Sequence, residues 1–176
     1  MLLTKEKVRR FSMKVQCMIN LAYNLKPLST DPRIQVGCVI FPLDCSHVLS
    51  NGYNGAPRDF SHLSPCESLD TPGGSGFCHA ELNALTKLNT MSAPPSLLFV
   101  TTTPCKRCAG QIINAGPIIG VIHGNVYEGD KGAGLDYLKK SKRIQCLHQS
   151  WIESSAETGV CDSMGILKSW IERRYA

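Results

Sequence analysis

The stretch LLFVTTTPCKRCAGQIINAGPIIGVIH, residues 97–123, carries the pattern that decides the fold. Its opening residues are apolar or β-branched and predict a strand over 97–102. Pro104 is well placed just before a helix, which the sequence predicts over 105–115. The apolar run Ile118–His123 predicts the next strand. A strand, a helix and a second strand in this order predict a parallel section of sheet.

The rest of the chain adds further strands and helices around this unit. Apolar residues at three- and four-residue spacing predict an amphipathic helix over 4–25, through Val8, Phe11, Val15, Met18, Ile19, Ala22 and Leu25. The remaining elements are predicted in chain order as an antiparallel hairpin over Gln35–Phe41 and Val48–Asn51, a helix from near 78, a helix over 132–141, a strand over 143–147 and a docking helix in GILKSWIERRYA. The sheet is therefore predicted to be mixed.

Length and composition predict one α/β domain. The chain has 176 residues, 43% of them hydrophobic. We predict a principal domain over 1–147 and a helical C-terminal extension, 148–176, packed on it. The N-terminal MLLTKEKVRR is charged and lacks an apolar segment, and no apolar run approaches the roughly 18 residues of a membrane span. We therefore expect a cytoplasmic protein with no membrane partner.

The charge is mildly positive. A formal charge of +5 suits a small anionic ligand and is weak for a dedicated nucleic-acid binder, so no nucleic-acid partner is expected.

Two short motifs carry residues with metal-site chemistry. FCHAELNAL, residues 77–85, and PCKRC, residues 104–108, each lie at a predicted helix start, where the helix dipole favours thiolates. His79, Cys105 and Cys108 are predicted to bind about one zinc ion per chain, with the fourth position left for water. Glu81 is then available to accept a proton from that water.

Two other interpretations of these motifs stay open. In the first, Cys78 is a fourth ligand of a closed structural zinc site. Neighbouring side chains on a helix diverge by about 100°, which makes Cys78 and His79 awkward co-ligands. In the second, the two cysteines form a redox pair, which leaves His79 and Glu81 unexplained. The joint order H-x-E…P-C-x-x-C is the signature of zinc nucleobase deaminases.

The chain resembles the deoxycytidylate (dCMP) deaminases of the zinc-dependent cytidine deaminase-like superfamily over roughly residues 10–147. The motifs that carry the resemblance are STDPRIQVGCVIF at 29–41, NGYNGAP at 51–57, CHAELNAL at 78–85 and TTTPCKRCAGQIINAG at 101–116. The resemblance implies a mixed five-stranded sheet flanked by helices and usually a homo-hexamer. It also implies a hydrolase that converts dCMP to dUMP and ammonia, supplying dUMP for thymidylate synthesis.

The resemblance also implies roles for individual residues. Asn54 would contact the pyrimidine base, Tyr127 would line the nucleotide pocket, and Ala80 would lie against the substrate. Arg33, in the turn that enters the first strand, is a candidate for the substrate phosphate, and a surface arginine is the alternative.

A regulatory site is implied at NGYNG. Asn51, Gly52, Tyr53 and Gly55 would lie beside a nucleotide at a subunit interface, with activation by dCTP and inhibition by dTTP, and with Mg²⁺ accompanying the triphosphate. The two glycines are expected just after a strand, at positive φ. A valine at Gly52 is expected to remove both responses and keep zinc. A simple tight turn is the alternative.

Other possibilities remain at this stage. The chain could instead deaminate a cytosine or adenine in RNA or DNA, or be a structural zinc module. His62 and Cys66 are a suggestive pair for a second zinc, with ordinary loop residues as the alternative. His123, where the family strand usually ends in an apolar residue or Tyr, is interpreted as a satisfied interior histidine.

Overall fold

The computed structural model describes residues 3–57, 76–128, 132–161 and 165–174. Helix α1, Lys5–Leu25, begins at Thr4, whose hydroxyl accepts a hydrogen bond from the Lys7 N–H, and it runs into a 3₁₀ turn. The remaining elements follow in the order β1 Gly37–Pro42, β2 Ser50–Tyr53, α2 Ala80–Leu85, β3 Ser96–Thr102, α3 Lys106–Asn114, β4 Ile118–Asn125, α4 Ala133–Lys139, β5 Gln145–His148, α5 Gln149–Thr158 and α6 Ile166–Arg174.

The five strands form one mixed sheet in the order β2-β1-β3-β4-β5. Strand β1 pairs antiparallel with both β2 and β3, whereas β3, β4 and β5 are parallel. The predicted mixed five-stranded sheet, with an opening hairpin followed by parallel strands, is therefore confirmed.

Helices cover both faces of the sheet. Successive strand residues point to opposite sides, so the apolar strands present an apolar surface on each face. One face carries Val39, Phe41, Leu97, Phe99 and Ile122 and packs against α1, α5 and α6. The other carries Cys38, Ile40, Leu98, Val100 and Val121 and packs against α2, α3 and α4. The predicted apolar stripe of α1 is largely confirmed, with its fully buried members being Val8, Phe11, Val15, Ile19 and Ala22.

The helices after residue 148 pack on the face that α1 covers. The Arg9 guanidinium donates to the Glu157 carbonyl at 2.9 Å, which ties α1 to α5. Trp170 of α6 is fully buried in the same cluster as Phe11 and Leu97. None of the helices in the described ranges has the length and hydropathy of a membrane span.

Strand β2 differs from its prediction. It begins at Ser50, which pairs with Ile40 of β1, and ends at Tyr53, which pairs with Gly37, so it lies two residues later than expected. Gly52 and Tyr53 therefore belong to the strand and do not follow it. The expectation of positive φ is also wrong, since neither Gly52 nor Gly55 adopts it. His62 and Cys66, the suggested second zinc pair, lie outside the described residues.

Candidate active site

A pocket opens at the end of the sheet where β2, β3 and β4 end and β1 begins. The main-chain N–H of Gly37, at the start of β1, donates to the Thr101 hydroxyl near the end of β3 at 3.1 Å, so the two strand ends stay together. The pocket is partly open to solvent and is lined by Asp31, Arg33, Ile34, Val36, Asn54, His79, Ala80, Glu81, Thr102, Thr103, Cys105 and Tyr127. It therefore joins the motifs that the sequence separates widely.

Three potential metal ligands converge in this region. His79 precedes the first residue of α2, Cys105 precedes the first residue of α3, and Cys108 lies in the first turn of α3. The Nδ1 atom of His79 is 3.5 Å from the Cys105 sulfur and 3.4 Å from the Cys108 sulfur. All three donor atoms lie within 4.8 Å of one another. The predicted ligand set is thus brought together.

The protonation of these groups is coupled. Hydrogen bonds from the Cys108 thiol and from His79 lower the pKa of Cys105 to about 4. The pKa of Cys108 is raised, because its thiol donates to Cys105 and is buried. The hydrogen bond to Cys105 raises the pKa of His79. One thiolate is therefore already favoured before any metal binds.

The donor set fits zinc. Tetrahedral zinc with bonds of about 2.3 Å to sulfur and about 2.0–2.1 Å to nitrogen places sulfur and nitrogen ligands roughly 3.6 Å apart, close to the distances here. Among the described residues, the group that could hold a metal comprises His79, Cys105 and Cys108. Cys78 is not part of that group, and its main chain pairs with Gly55. A closed four-ligand site through Cys78 is therefore not supported.

Glu81 lies in the first turn of α2, two residues after His79, and only 4% of it is exposed. Burial raises the pKa of its carboxyl to about 7, although a hydrogen bond from its own main-chain N–H, the nearby His79 and a hydrogen bond with the Cys108 thiol act in the opposite direction. A carboxyl with this pKa can gain or lose a proton near neutral pH. The side chain therefore has the properties of a proton carrier beside the ligand cluster.

Asn54 fixes the wall of the pocket. Its side-chain oxygen accepts hydrogen bonds from the Val36 N–H at 2.7 Å and from the Ser29 hydroxyl at 2.8 Å. Its amide nitrogen donates to the Ile34 carbonyl at 2.7 Å. Asn54 thus clamps the 29–36 segment to the end of β2 and also lines the pocket. Its predicted contact with a base stays a prediction.

The other predicted substrate residues also line the pocket. The Arg33 guanidinium forms an ion pair with Asp31 at 3.2 Å. The main-chain N–H of Tyr127 donates to the Thr103 hydroxyl at 2.8 Å, which anchors the segment after β4. Ala80 is fully buried at the start of α2. The pocket brings these residues together, and their roles stay predictions.

Strand β2 and the residues after it lie against α2. A Cβ atom on Gly52 would come 2.3 Å from the Ala80 carbonyl oxygen, so no side chain fits there. Lys87 donates to the Asn51 carbonyl at 3.1 Å, and Asn83 donates to the Tyr53 carbonyl at 2.8 Å. The close approach that requires glycine is therefore an approach to the helix that carries Glu81. A regulatory nucleotide at this segment stays a prediction.

His123 is an interior histidine, as predicted. Its ring nitrogen Nδ1 lies 2.9 Å from the Gly124 carbonyl oxygen, and the ring packs edge-on against His148. Burial lowers the pKa of His123, which favours the neutral ring.

Five further residues line the pocket that were given no role from the sequence, namely Asp31, Ile34, Val36, Thr102 and Thr103. All five lie inside the quoted motifs STDPRIQVGCVIF and TTTPCKRC, next to residues that were assigned roles. Their position beside those residues was the signal from which they could have been found.

The family model for the cytidine and deoxycytidylate deaminase zinc-binding region matches residues 12–124. The chain therefore belongs to this family.

Individual relatives point to the deoxycytidylate branch. The chain is 33% identical to a probable deoxycytidylate deaminase of Drosophila melanogaster over 126 residues, covering 66% of this chain and 59% of that protein. It is 35% identical to deoxycytidylate deaminase of Homo sapiens over 94 residues, covering 50% of this chain and 52% of that protein. The chain spans about half the length of the curated relatives it matches.

A solved structure is also similar. It is the dCMP deaminase from the cyanophage S-TIM5 in complex with dCMP and dUMP, with a TM-score of 0.61 and 29% identity. The match covers 76% of this chain and 94% of that one. The resemblance predicted from the motifs is confirmed.

Proposed function

We propose that the chain is a zinc-dependent hydrolase that deaminates dCMP to dUMP and ammonia, supplying dUMP for thymidylate synthesis. The observation that carries this proposal is the cluster of His79, Cys105 and Cys108 beside the buried carboxyl of Glu81, in one pocket. The similarity to a dCMP deaminase solved with dCMP and dUMP supports the choice of substrate.

The reaction needs a proton carrier beside the reacting carbon. A zinc ion on the three ligands would supply the Lewis acid that activates water for attack at C4 of cytosine. Glu81 accepts a proton from the attacking water and delivers it to N3 of the ring. It then takes the second proton from the new hydroxyl on C4 and delivers it to the amine, so that the C4–N bond breaks, ammonia leaves and the C4 carbonyl forms. The raised pKa of Glu81 suits both the uptake and the release of a proton.

The remaining residues hold the nucleotide. Asn54 and Ala80 face the base, Tyr127 closes the pocket beside it, and Arg33 meets the 5′-phosphate. Asn54 also keeps its hydrogen bonds to the 29–36 segment. The segment that carries Arg33 therefore keeps its position relative to the part of the pocket that holds the base.

A substrate panel tests the proposal. The purified protein is mixed with dCMP, deoxycytidine, dCTP, cytosine and a cytosine-bearing oligonucleotide, and released ammonia is measured. We expect the highest kcat/KM with dCMP, since charge-assisted hydrogen bonds to phosphate add about 1.5–3 kcal/mol each. Equal kcat/KM for dCMP and deoxycytidine would contradict a phosphate contact. Preference for the oligonucleotide would favour a nucleic-acid deaminase, and no turnover at all would favour a structural zinc module.

Regulation belongs to the same proposal. We infer that dCTP, with Mg²⁺, activates the enzyme and that dTTP inhibits it, through a site at Asn51, Gly52, Tyr53 and Gly55 in a homo-hexamer of cytoplasmic location. The bonds from Lys87 and Asn83 to β2 support this, because a shift of the segment would move α2 and Glu81. By linkage, about 1–3 kcal/mol of coupling would suffice.

Nucleotide titration checks the regulation. We expect sigmoidal dCMP kinetics that dCTP makes hyperbolic and dTTP suppresses. The control is dATP at the same concentration, which matches the charge and the Mg²⁺ demand and is expected to change neither curve. Hyperbolic kinetics that are indifferent to dCTP and dTTP would contradict regulation and leave the deamination proposal intact. Light scattering with and without each nucleotide measures the oligomer.

A further inference from the structure

We infer that Asp31 is a positioning residue that holds the Arg33 guanidinium toward the pocket and thereby sets the preference for a 5′-monophosphate over the bare nucleoside. The inference rests on the proposed function, because it assigns the phosphate end of that pocket. It adds a residue to which the sequence analysis gave no role.

The contacts between the two side chains are directional. The Asp31 oxygen Oδ1 accepts from the Arg33 main-chain N–H at 2.9 Å and from the Arg33 Nε at 3.2 Å. The other oxygen, Oδ2, accepts from Nη2 at 3.2 Å. Two parallel bonds of this kind fix the plane of a guanidinium as well as its position. The bonds to Asp31 therefore orient the Arg33 guanidinium at the pocket that both residues line.

Burial distinguishes the two partners. The Asp31 side chain is only 4% exposed, whereas the Arg33 side chain is 36% exposed. A buried carboxylate needs a charged partner, so Asp31 has a fixed place and Arg33 is held by it. The more accessible member of the pair is thus the arginine, and the carboxylate supports it from the protein side.

The pair is also connected to the rest of the site. The Ser29 hydroxyl accepts from the Asp31 main-chain N–H at 3.2 Å and donates to the Asn54 side-chain oxygen at 2.8 Å. Asn54 is itself part of the pocket wall. The Asp31–Arg33 pair and Asn54 are therefore joined through one hydrogen-bonded segment, which defines the position of the guanidinium relative to Asn54.

The direction in which loss of the Asp31 charge changes the preference for the monophosphate distinguishes positioning from simple charge repulsion. A carboxylate near an anionic ligand repels it, so removing that charge alone would strengthen monophosphate binding. Removing a positioning residue has the opposite effect, because an arginine that Asp31 no longer holds must lose more side-chain entropy when it meets the phosphate. Positioning of Arg33 is the larger of the two effects, and the experiment shows whether removing the Asp31 charge weakens or strengthens the preference for the monophosphate.

The test compares Asp31→Asn, Arg33→Ala and the double variant with wild type. Asparagine keeps an oxygen for the Arg33 main-chain N–H, so the turn is retained while the ion pair is lost. The measured quantity is the ratio of kcat/KM for dCMP to that for deoxycytidine. We expect this ratio to fall about 10- to 100-fold in Arg33→Ala and about 5- to 20-fold in Asp31→Asn. The double variant is expected to match Arg33→Ala.

A matched control separates positioning from local structure. Asp44 accepts a hydrogen bond from the Ser46 main-chain N–H in the same two-residue turn, but it is exposed and outside the pocket lining. Asp44→Asn is expected to leave the ratio unchanged. A merely structural role for Asp31 would lower kcat/KM for both substrates equally and would add to the Arg33→Ala loss. That result, or a ratio that rises in Asp31→Asn, would overturn the inference.

Binding of dUMP and deoxyuridine is measured by calorimetry on the same proteins. A wild type that binds dUMP more tightly than deoxyuridine, with the preference reduced in Asp31→Asn, supports the inference even if no ammonia is released. In that case only the proposed deamination fails. A wild type with no preference for dUMP overturns the inference.

Discussion

Replacing Glu81 by Gln is expected to lower kcat for dCMP by about 10²- to 10⁴-fold, the usual contribution of general acid–base catalysis. Glutamine has nearly the same shape but cannot carry a proton between the attacking water, N3 and the departing amine. It also lacks the charge that burial disfavours at this position, where the carboxyl pKa is raised to about 7. Fold and zinc content are therefore expected to match wild type, at about one zinc per chain.

The matched control for this variant is Glu6→Gln. Glu6 occupies the second position of α1, as Glu81 does in α2, but it is exposed. Any general effect of removing a carboxylate from a helix N-terminus appears in both variants, and loss of turnover is expected only at Glu81. Zinc is measured by elemental analysis and turnover by ammonia release. A Glu81→Gln protein that remains active, or a wild type without zinc, would contradict the proposed chemistry.

The metal ligands could be predicted from sequence because their placement is local. His79 and Cys105 each come directly before a helix, and Cys108 follows Cys105 by one turn. Helices α2 and α3 follow β2 and β3, which run in the same direction on either side of β1, so both helix N-termini lie at one end of the sheet. Such helix N-termini meet in one crevice of an α/β sheet, which is why the two motifs could be predicted to approach each other.

The hydrogen-bonded wall of the pocket could not be predicted in this way. The bonds of Asn54 to Ser29 and Val36 join residues 25 and 18 positions apart, and they depend on the register of β2 against β1. A two-residue error in the position of β2 placed Gly52 just after the strand and left its partner unidentified. Asp31 was given no role for a related reason, since its burial and its ion pair with Arg33 depend on how the chain folds around it.

The structure changes what a substitution at Gly52 is expected to do. The sequence alone led to the expectation that Gly52→Val would remove effector responses and keep zinc. A Cβ at this position would instead come 2.3 Å from the Ala80 carbonyl oxygen and 2.6 Å from the Ala84 nitrogen, both of them main-chain atoms of α2. Main chain cannot rotate away as a flexible side chain can. Helix α2 would therefore have to move, and any change in regulation would be secondary.

Even Gly52→Ala is consequently expected to damage the site. Forcing one extra carbon against packed main chain costs about 1–3 kcal/mol, which corresponds to a fall in Tm of about 4–8 °C at the midpoint of that range. Because α2 carries His79 at its start and Glu81 in its first turn, the displaced helix is expected to bind zinc more weakly. Turnover of dCMP is expected to fall on the order of 10²-fold, as for a misplacement of about 1 Å.

The matched control for the Gly52 prediction is Gly116→Ala. Nothing lies within 4 Å of a Cβ built on Gly116, and its φ is not positive, so the same methyl group meets no obstacle. Differential scanning calorimetry, zinc analysis and dCMP turnover are compared for both variants. If Gly52→Ala keeps the wild-type Tm and zinc content, α2 does not approach β2 as closely as the structure has it. If stability falls while zinc and turnover stay at the wild-type level, the position of α2 does not control the ligand cluster.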